Sequence, residues 1–196
     1  MPDVFDFSHF PRLETPRLVL REITPRDAPA VFRIRGDYEV TKYNTGAAYQ
    51  NVQQAVKLID NIGKRYNSHE ELRWGIQLKT HHDLIGICGF NYWDRTDNRA
   101  SVGYDLLRSE WGNGYMPETL RAVIAFGFTH MGLNRIEADT SAENSASMRV
   151  LEKVGFQREG VQREQYYEHG RYYDLVLFAL LKRDYAHDAT MVNYER

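Results

Sequence analysis

Arg108-Ser109-Glu110-Trp111-Gly112-Asn113-Gly114-Tyr115-Met116-Pro117-Glu118 is the stretch on which the fold turns. A run with strand character ends just before it, near Leu107. After it, Leu120, Val123, Ile124, Gly127 and Met131 recur at helical spacing, so a helix is expected from about Pro117. Pro suits the first helical position, where its missing amide would have had no intrahelical partner. The two glycines allow the backbone to approach an anion closely, and the unpaired amides of a helix's first turn carry about half a positive charge. A diphosphate is the natural ligand of such a turn. Glycines also appear in strand-to-helix turns for steric reasons alone, so the surroundings must decide. No Gly-Lys-Ser/Thr follows, which argues against a P-loop, and the third glycine of a dinucleotide-binding turn is missing. Glu137 and Asp139 on the next strand imitate the ribose-binding acid of a dinucleotide fold and keep that alternative open.

Upstream, Leu18 to Ile23 reads as a strand, followed by a helix opened by Thr24-Pro25-Arg26-Asp27 and continued by Ala28, Val31, Phe32 and Arg35. A second helix is expected at about Val52 to Arg65. Leu72 to Leu78, Leu84 to Trp93 and Arg99 to Leu107 are strand-like runs separated by polar stretches too short for helical crossovers, so they form an antiparallel meander. Downstream come a strand at Arg135 to Thr140, a helix at about Asn144 to Val154 closed by Gly155, and two strands, Phe156 to Tyr167 and Tyr172 to Leu181, joined by Glu168-His169-Gly170. The helix after Gly114 then links the fourth strand to the fifth, which makes that pair parallel inside an otherwise antiparallel sheet.

The composition is that of an ordinary folded domain. The 25 Lys and Arg against 27 Asp and Glu lack the basic excess that phosphate-backbone binding requires, so nucleic acid is not expected as a partner. The single cysteine, Cys88, lies in an apolar run and reads as a buried strand side chain. No signal peptide and no apolar stretch of about 20 residues is found, so the expectation is a cytoplasmic protein with no membrane partner. The seven histidines show no metal-ligand spacing, and no metal is expected.

Four segments together resemble the GNAT superfamily of N-acetyltransferases, and within it the ribosomal-protein N-terminal acetyltransferases. They are Glu14-Thr15-Pro16-Arg17-Leu18-Val19-Leu20-Arg21, Val102-Gly103-Tyr104, Trp111 to Glu118, and Asn144-Ser145-Ala146-Ser147 leading to Leu151-Glu152-Lys153-Val154-Gly155-Phe156. The resemblance spans about Leu13 to Tyr185 and divides the chain into an N-terminal arm (1–13), an acetyltransferase domain (14–185) and a C-terminal tail (186–196). It implies an α/β (α+β) GNAT fold: a mixed, mostly antiparallel seven-stranded sheet, with strands 4 and 5 as a splayed parallel pair, flanked by about four helices.

It also implies acetyl-coenzyme A as the acetyl donor. Backbone groups of Leu106 and Leu107 would pair with the pantetheine arm, and the amides of Gly112, Asn113, Gly114, Tyr115 and Met116 would hold the pyrophosphate. Asn144 would bond to the pantetheine, and Ser147 would lie near the sulfur. Leu151 stands where other members carry a thiolate-protonating Tyr, which leaves Ser147 as the candidate acid. Ser101 stands where relatives often have a Glu, removing one candidate base.

Direct acetyl transfer needs a neutral amine, a donor to the developing oxyanion and a proton for the departing sulfur. The expected oxyanion donor is a backbone amide near Leu106. An α-amine, with a pKa near 8 against about 10.4 for a Lys amine, needs only a modest base. Glu164 and Tyr166 are expected on one face of the sixth strand and are the candidate bases, with His169 at the adjoining turn. Glu22 and Tyr104 are the candidates for holding the acceptor. That acceptor is expected to be a protein N-terminus, with a polyamine, amino acid or antibiotic as the alternative. A non-catalytic coenzyme A sensor and a dinucleotide oxidoreductase remain the rival classes. The aromatic arm with Phe5, Phe7 and Phe10 is expected to cover either the domain's own surface or a second copy's, which leaves monomer and homodimer both open.

Overall fold

A computed structural model describes residues 5–44, 47–168 and 170–185, and the backbone of 193–195. One mixed sheet carries nine strands in the order β7-β8-β6-β5-β4-β3-β2-β1-β9. Its central strands are β2 (Leu18–Arg21), β3 (Leu72–Leu78), β4 (Leu84–Asp94), β5 (Arg99–Leu106) and β6 (Arg135–Ser141). β7 (Gln157–Glu168) and β8 (Arg171–Leu181) form the closing hairpin, while β1 (Arg12–Glu14) and β9 (Asn193–Glu195) add a three-residue antiparallel edge. That edge makes nine strands out of the expected seven; each of its members is too short to show a period of two in sequence.

Five helices flank the sheet: α1 (Ala28–Arg35), α2 (Tyr38–Thr41), α3 (Val52–Asn67), α4 (Tyr115–Thr129) and α5 (Ser145–Lys153). The single turn of α2 was not anticipated, and α4 begins at Tyr115, two residues ahead of Pro117. Pro117 therefore occupies the first turn without opening it.

The two faces of the sheet are covered by different layers because β4 is apolar on both. Leu84 and Ile87 join Ile23, Val31, Ala55, Ile59 and Ile62 beneath α1 and α3. Ile85, Cys88 and Phe90 join Leu120, Val123, Phe126 and Leu151 beneath α4 and α5. The aromatic arm belongs to this second layer. Phe7 is buried and stacks on His69, its carbonyl accepts from the Tyr66 hydroxyl at 3.3 Å, and Trp74 Nε1 donates to Pro11 O at 2.6 Å. The arm thus covers the domain's own surface. No described helix is long and apolar enough to cross a membrane.

Candidate active site

The expected parallel pair, β5 and β6, is joined over only three residue pairs: Arg99 with Arg135, Ala100 with Ile136 and Ser101 with Glu137. Beyond Ser101 the strands part, although β5 runs on to Leu106 and β6 to Ser141. The parting frees main-chain groups on one edge of β5. Leu107 N–H donates to Ile85 O at 2.8 Å. In an antiparallel ladder the bonded positions alternate, so the main-chain groups of Tyr104 and Leu106 face away from β4, into the gap. Trp111 Nε1 donates to Leu106 O at 2.9 Å, which leaves the Leu106 N–H as the free donor at that position. Leu107 departs from expectation. Its N–H is spent on Ile85 and its carbonyl accepts from Glu110 N–H at 2.9 Å, so it offers the gap no backbone group.

α4 starts at the mouth of this gap. Gly112 and Gly114 take left-handed φ values of 79° and 76°, a region where glycine carries no steric penalty. Gly114 is the N-cap, with no side chain bonding into the helix start. Among the described residues, the amides of Gly112, Asn113, Gly114, Tyr115 and Met116 donate to no acceptor. A Cβ at Gly112 would meet nothing within 4 Å, so the cradle is open. An anion of diphosphate size fits these donors and the positive end of the helix.

The opening Thr-Pro-Arg segment fixes this loop from about a hundred residues away. Glu118, in the first turn of α4, accepts from Thr15 Oγ1 at 2.6 Å, from Arg17 N–H at 3.0 Å and from Arg17 Nε at 2.7 Å. Burial pushes the Glu118 carboxyl upward, but these donors outweigh it and hold it below the usual carboxylate range. Arg17 also donates to Asn113 O at 3.0 Å and lies over the Tyr115 ring.

The N-terminus of α5 closes the far side of the gap. Asn144 caps it, its side-chain oxygen accepting from Ser147 N–H at 3.1 Å, while its amide group bonds to no described residue. Ser147 Oγ lies 2.7 Å from the Tyr104 hydroxyl. Burial pushes the Tyr104 phenol well above its ordinary value, with the Ser147 hydrogen bond opposing, so the group stays protonated. Tyr104 therefore sits with Ser147 on the α4–α5 side of the gap.

The gap opens into a cavity of about 970 Å³ that runs through to the face carrying α1 and α2. There Asp105 is buried, bridged to Arg35 at 3.2 Å and accepting from Asn44 Nδ2 at 2.8 Å. Tyr166 lines the cavity, stacked on Tyr173, with its hydroxyl buried on the side of Ser141. Burial raises its pKa. Its expected companion Glu164 does not line the cavity. β7 carries two extra residues between Gln162 and Tyr166 relative to β8, and this bulge breaks the alternation that would have put both side chains on one face. Glu164 instead takes φ 50°, and its N–H is held by Asp174 at 2.9 Å. Glu22 is exposed beyond the end of β2 and is likewise outside the cavity. His169 lies outside the described residues.

Two cavity residues escaped the sequence reading in this role: Asn91 and Asp139. In the sequence Asp139 stands out only as an imitation of a ribose-binding acid. The alternation of β6 could have singled it out, since Ile136 and Ala138 face the core and odd-numbered neighbours face the other way.

The sequence profile of the acetyltransferase (GNAT) domain matches residues 17–157. The uncharacterized N-acetyltransferase YoaA of Bacillus subtilis is 38% identical over 173 residues, covering 88% of this chain and 98% of that protein. The ribosomal protein uS5-alanine N-acetyltransferase of Escherichia coli is 26% identical over 184 residues, covering 89% and 92%. Among solved structures, Mycobacterium smegmatis RimJ in complex with a coenzyme A disulfide superposes with a TM-score of 0.81 at 24% identity, covering 91% of this chain and 89% of that one.

Proposed function

This chain belongs to the GNAT acetyltransferase family, and from that premise we propose that it transfers acetyl from acetyl-coenzyme A to the α-amine of a protein N-terminus by direct attack on the thioester. The observation that carries the proposal is the parting of β5 from β6 beside a helix start where the amides of Gly112 to Met116 donate to no described residue. The bound coenzyme A of the RimJ structure and the alanine acceptor named for the E. coli relative support the donor and the acceptor class. An open cavity of about 970 Å³ has room for the end of a polypeptide as well as the donor's arm.

Acetyl-coenzyme A supplies an activated acyl group that needs no covalent enzyme intermediate. The amides of Gly112 to Met116 hold the pyrophosphate, and the free amide group of Asn144 orients the pantetheine. Leu106 N–H donates to the thioester carbonyl oxygen as charge gathers there. The Ser147–Tyr104 hydroxyl pair gives the departing sulfur its proton.

The decisive experiment measures thiol release from acetyl-coenzyme A with a panel of acceptors: peptides with free N-termini, the same peptides blocked at the N-terminus, spermidine and free amino acids. The proposal expects turnover only with the free-N-terminal peptides. Preference for spermidine or an amino acid would replace the acceptor class, and tight binding without turnover would reduce the protein to a coenzyme A sensor.

A further inference from the structure

The protonating pair lies on the α4–α5 side of the gap, so the acceptor amine has to arrive from the other side, and what waits there is an unpaired carboxylate. Ser101 and Glu137 are the last pair of the parallel ladder, and paired residues in parallel strands project from the same face. One residue pair further along each side chain's row, Asp139 comes level with Gly103 across the gap. Gly103 contributes no side chain of its own between them. Asp139 makes no hydrogen bond or ion pair with any described residue, and it lines the cavity.

The other carboxylates near this face are already paired. Glu137 is paired with Arg135 at 2.7 Å and Arg99 at 3.8 Å, Asp105 with Arg35 at 3.2 Å, Glu143 with Arg171 at 2.7 Å, and Arg73 with Glu71 at 2.6 Å. β8 presents Leu177 and Leu175 opposite Asp139 and Ser141, and β7 contributes the Tyr166 phenol. The position beside Gly103 is not empty. The Asn91 side chain covers it: a Cβ placed there would lie 2.4 Å from Asn91 Nδ2 and 3.1 Å from Asn91 Oδ1, and that oxygen is buried without a partner. The Asp139 carboxylate, in contrast, is exposed to the cavity, and an acceptor there with no donor of its own suits a group bearing N–H bonds.

We propose that Asp139 is the general base, taking the proton of the acceptor amine. The inference rests on the acetyltransferase reading and deepens it. The amine nitrogen forms the C–N bond to the acetyl carbon, and its surplus proton moves to the Asp139 carboxylate and then to solvent. The C–S bond breaks, and the sulfur electron pair takes a proton from the Ser147–Tyr104 pair, which solvent restores. Proton removal and proton delivery are thus separated by the thickness of the sheet, on opposite sides of the carbonyl under attack. The cavity leaves the Asp139 carboxyl open to solvent, yet enough protein surrounds it that burial, with a smaller contribution from Glu137, raises its pKa. That shift brings it nearer the amine's own and makes it a better proton acceptor.

The test uses Asp139→Asn in the full chain. It should bind acetyl-coenzyme A within about twofold of the wild type and melt at the same temperature, while kcat/KM for a free-N-terminal peptide falls about 10²–10³-fold. In the wild type, log kcat/KM against pH should steepen from a slope of one, set by the amine, to two below the carboxyl's pKa; in the variant the slope should stay at one. Independently of any cofactor, the carbon-13 carboxyl resonance assigned to Asp139 should titrate above the value of about 3.9 of a free Asp. Retention of kcat/KM within threefold, a slope of two in Asp139→Asn, or a carboxyl titrating at or below that value would overturn the assignment. Absence of transfer by the wild type to every amine would sink the acetyltransferase reading itself, and Asp139 with it.

Discussion

The hydroxyls of Tyr104 on β5 and Ser147 on α5 lie 2.7 Å apart, tying the strand that borders the gap to the helix that closes it. If the two act as one proton donor, their removal is not additive. Ser147→Ala and Tyr104→Phe should each lower kcat about tenfold, with the acetyl-coenzyme A dissociation constant within about threefold, and the double variant should be little worse than either single one. Steady-state kinetics and calorimetric binding on the three variants check this. Unchanged turnover in Ser147→Ala removes Ser147 from the mechanism.

Gly114→Val tests the cradle. The new Cβ would meet only Arg17 Nη2 at 3.6 Å, an ordinary contact, so the cost comes from φ 76°. Left-handed backbone costs an L-residue about 1–2 kcal/mol, which a domain stable by about 5–15 kcal/mol survives. Circular dichroism should therefore show a folded protein, and calorimetry a coenzyme A affinity at least about tenfold weaker, equivalent to about 1.4 kcal/mol. Undiminished affinity would count against the loop as the pyrophosphate site.

Glu118→Gln tests the brace between the opening segment and α4. Removing one partner from a partly buried, charge-assisted cluster costs about 1–3 kcal/mol. The folded-state pKa of Glu118 lies below its unfolded value, so its stabilisation is fully present above the unfolded pKa of about 4.3 and is lost as pH falls through the folded pKa. Urea denaturation should show wild type and variant well separated at pH 7, with the gap narrowing as pH falls below about 4.3. A gap that is constant with pH would mean that the carboxylate's charge is not what matters.

Phe7→Ala tests whether the arm belongs to the domain. Phe7 is 8% exposed and packs on Phe5, Tyr66, His69 and Trp93. Truncating a buried Phe costs about 3–5 kcal/mol, and this peripheral site should fall at the low end. Light scattering should find the same molecular mass before and after the substitution; a change in mass would assign the arm to contacts between copies.

The strands of the meander, the crossover helix and the closing hairpin were legible because each is a local pattern, a period of 2 or 3.6 bounded by turn residues. The glycine loop was legible because it is contiguous. Asn144 and Ser147 were placed correctly relative to each other, since capping acts over three residues and the helical repeat fixes the rest. The edge strands β1 and β9 were not legible: three residues carry no periodicity, and their pairing joins opposite ends of the chain.

From its own residues and their order, the sequence determined a mixed sheet with one parallel crossover and a helix start fit for an anion, because those properties follow from short-range backbone preferences. Only the tertiary structure decided which side chains face the gap. The β7 bulge took Glu164 away from it, the end of pairing after Ser101 and Glu137 opened it to Asp139, and the bonds from Thr15 and Arg17 to Glu118 fixed its mouth. Each of these depends on where one strand stops matching its neighbour or on partners far apart in the chain, and no period within a single segment carries that information.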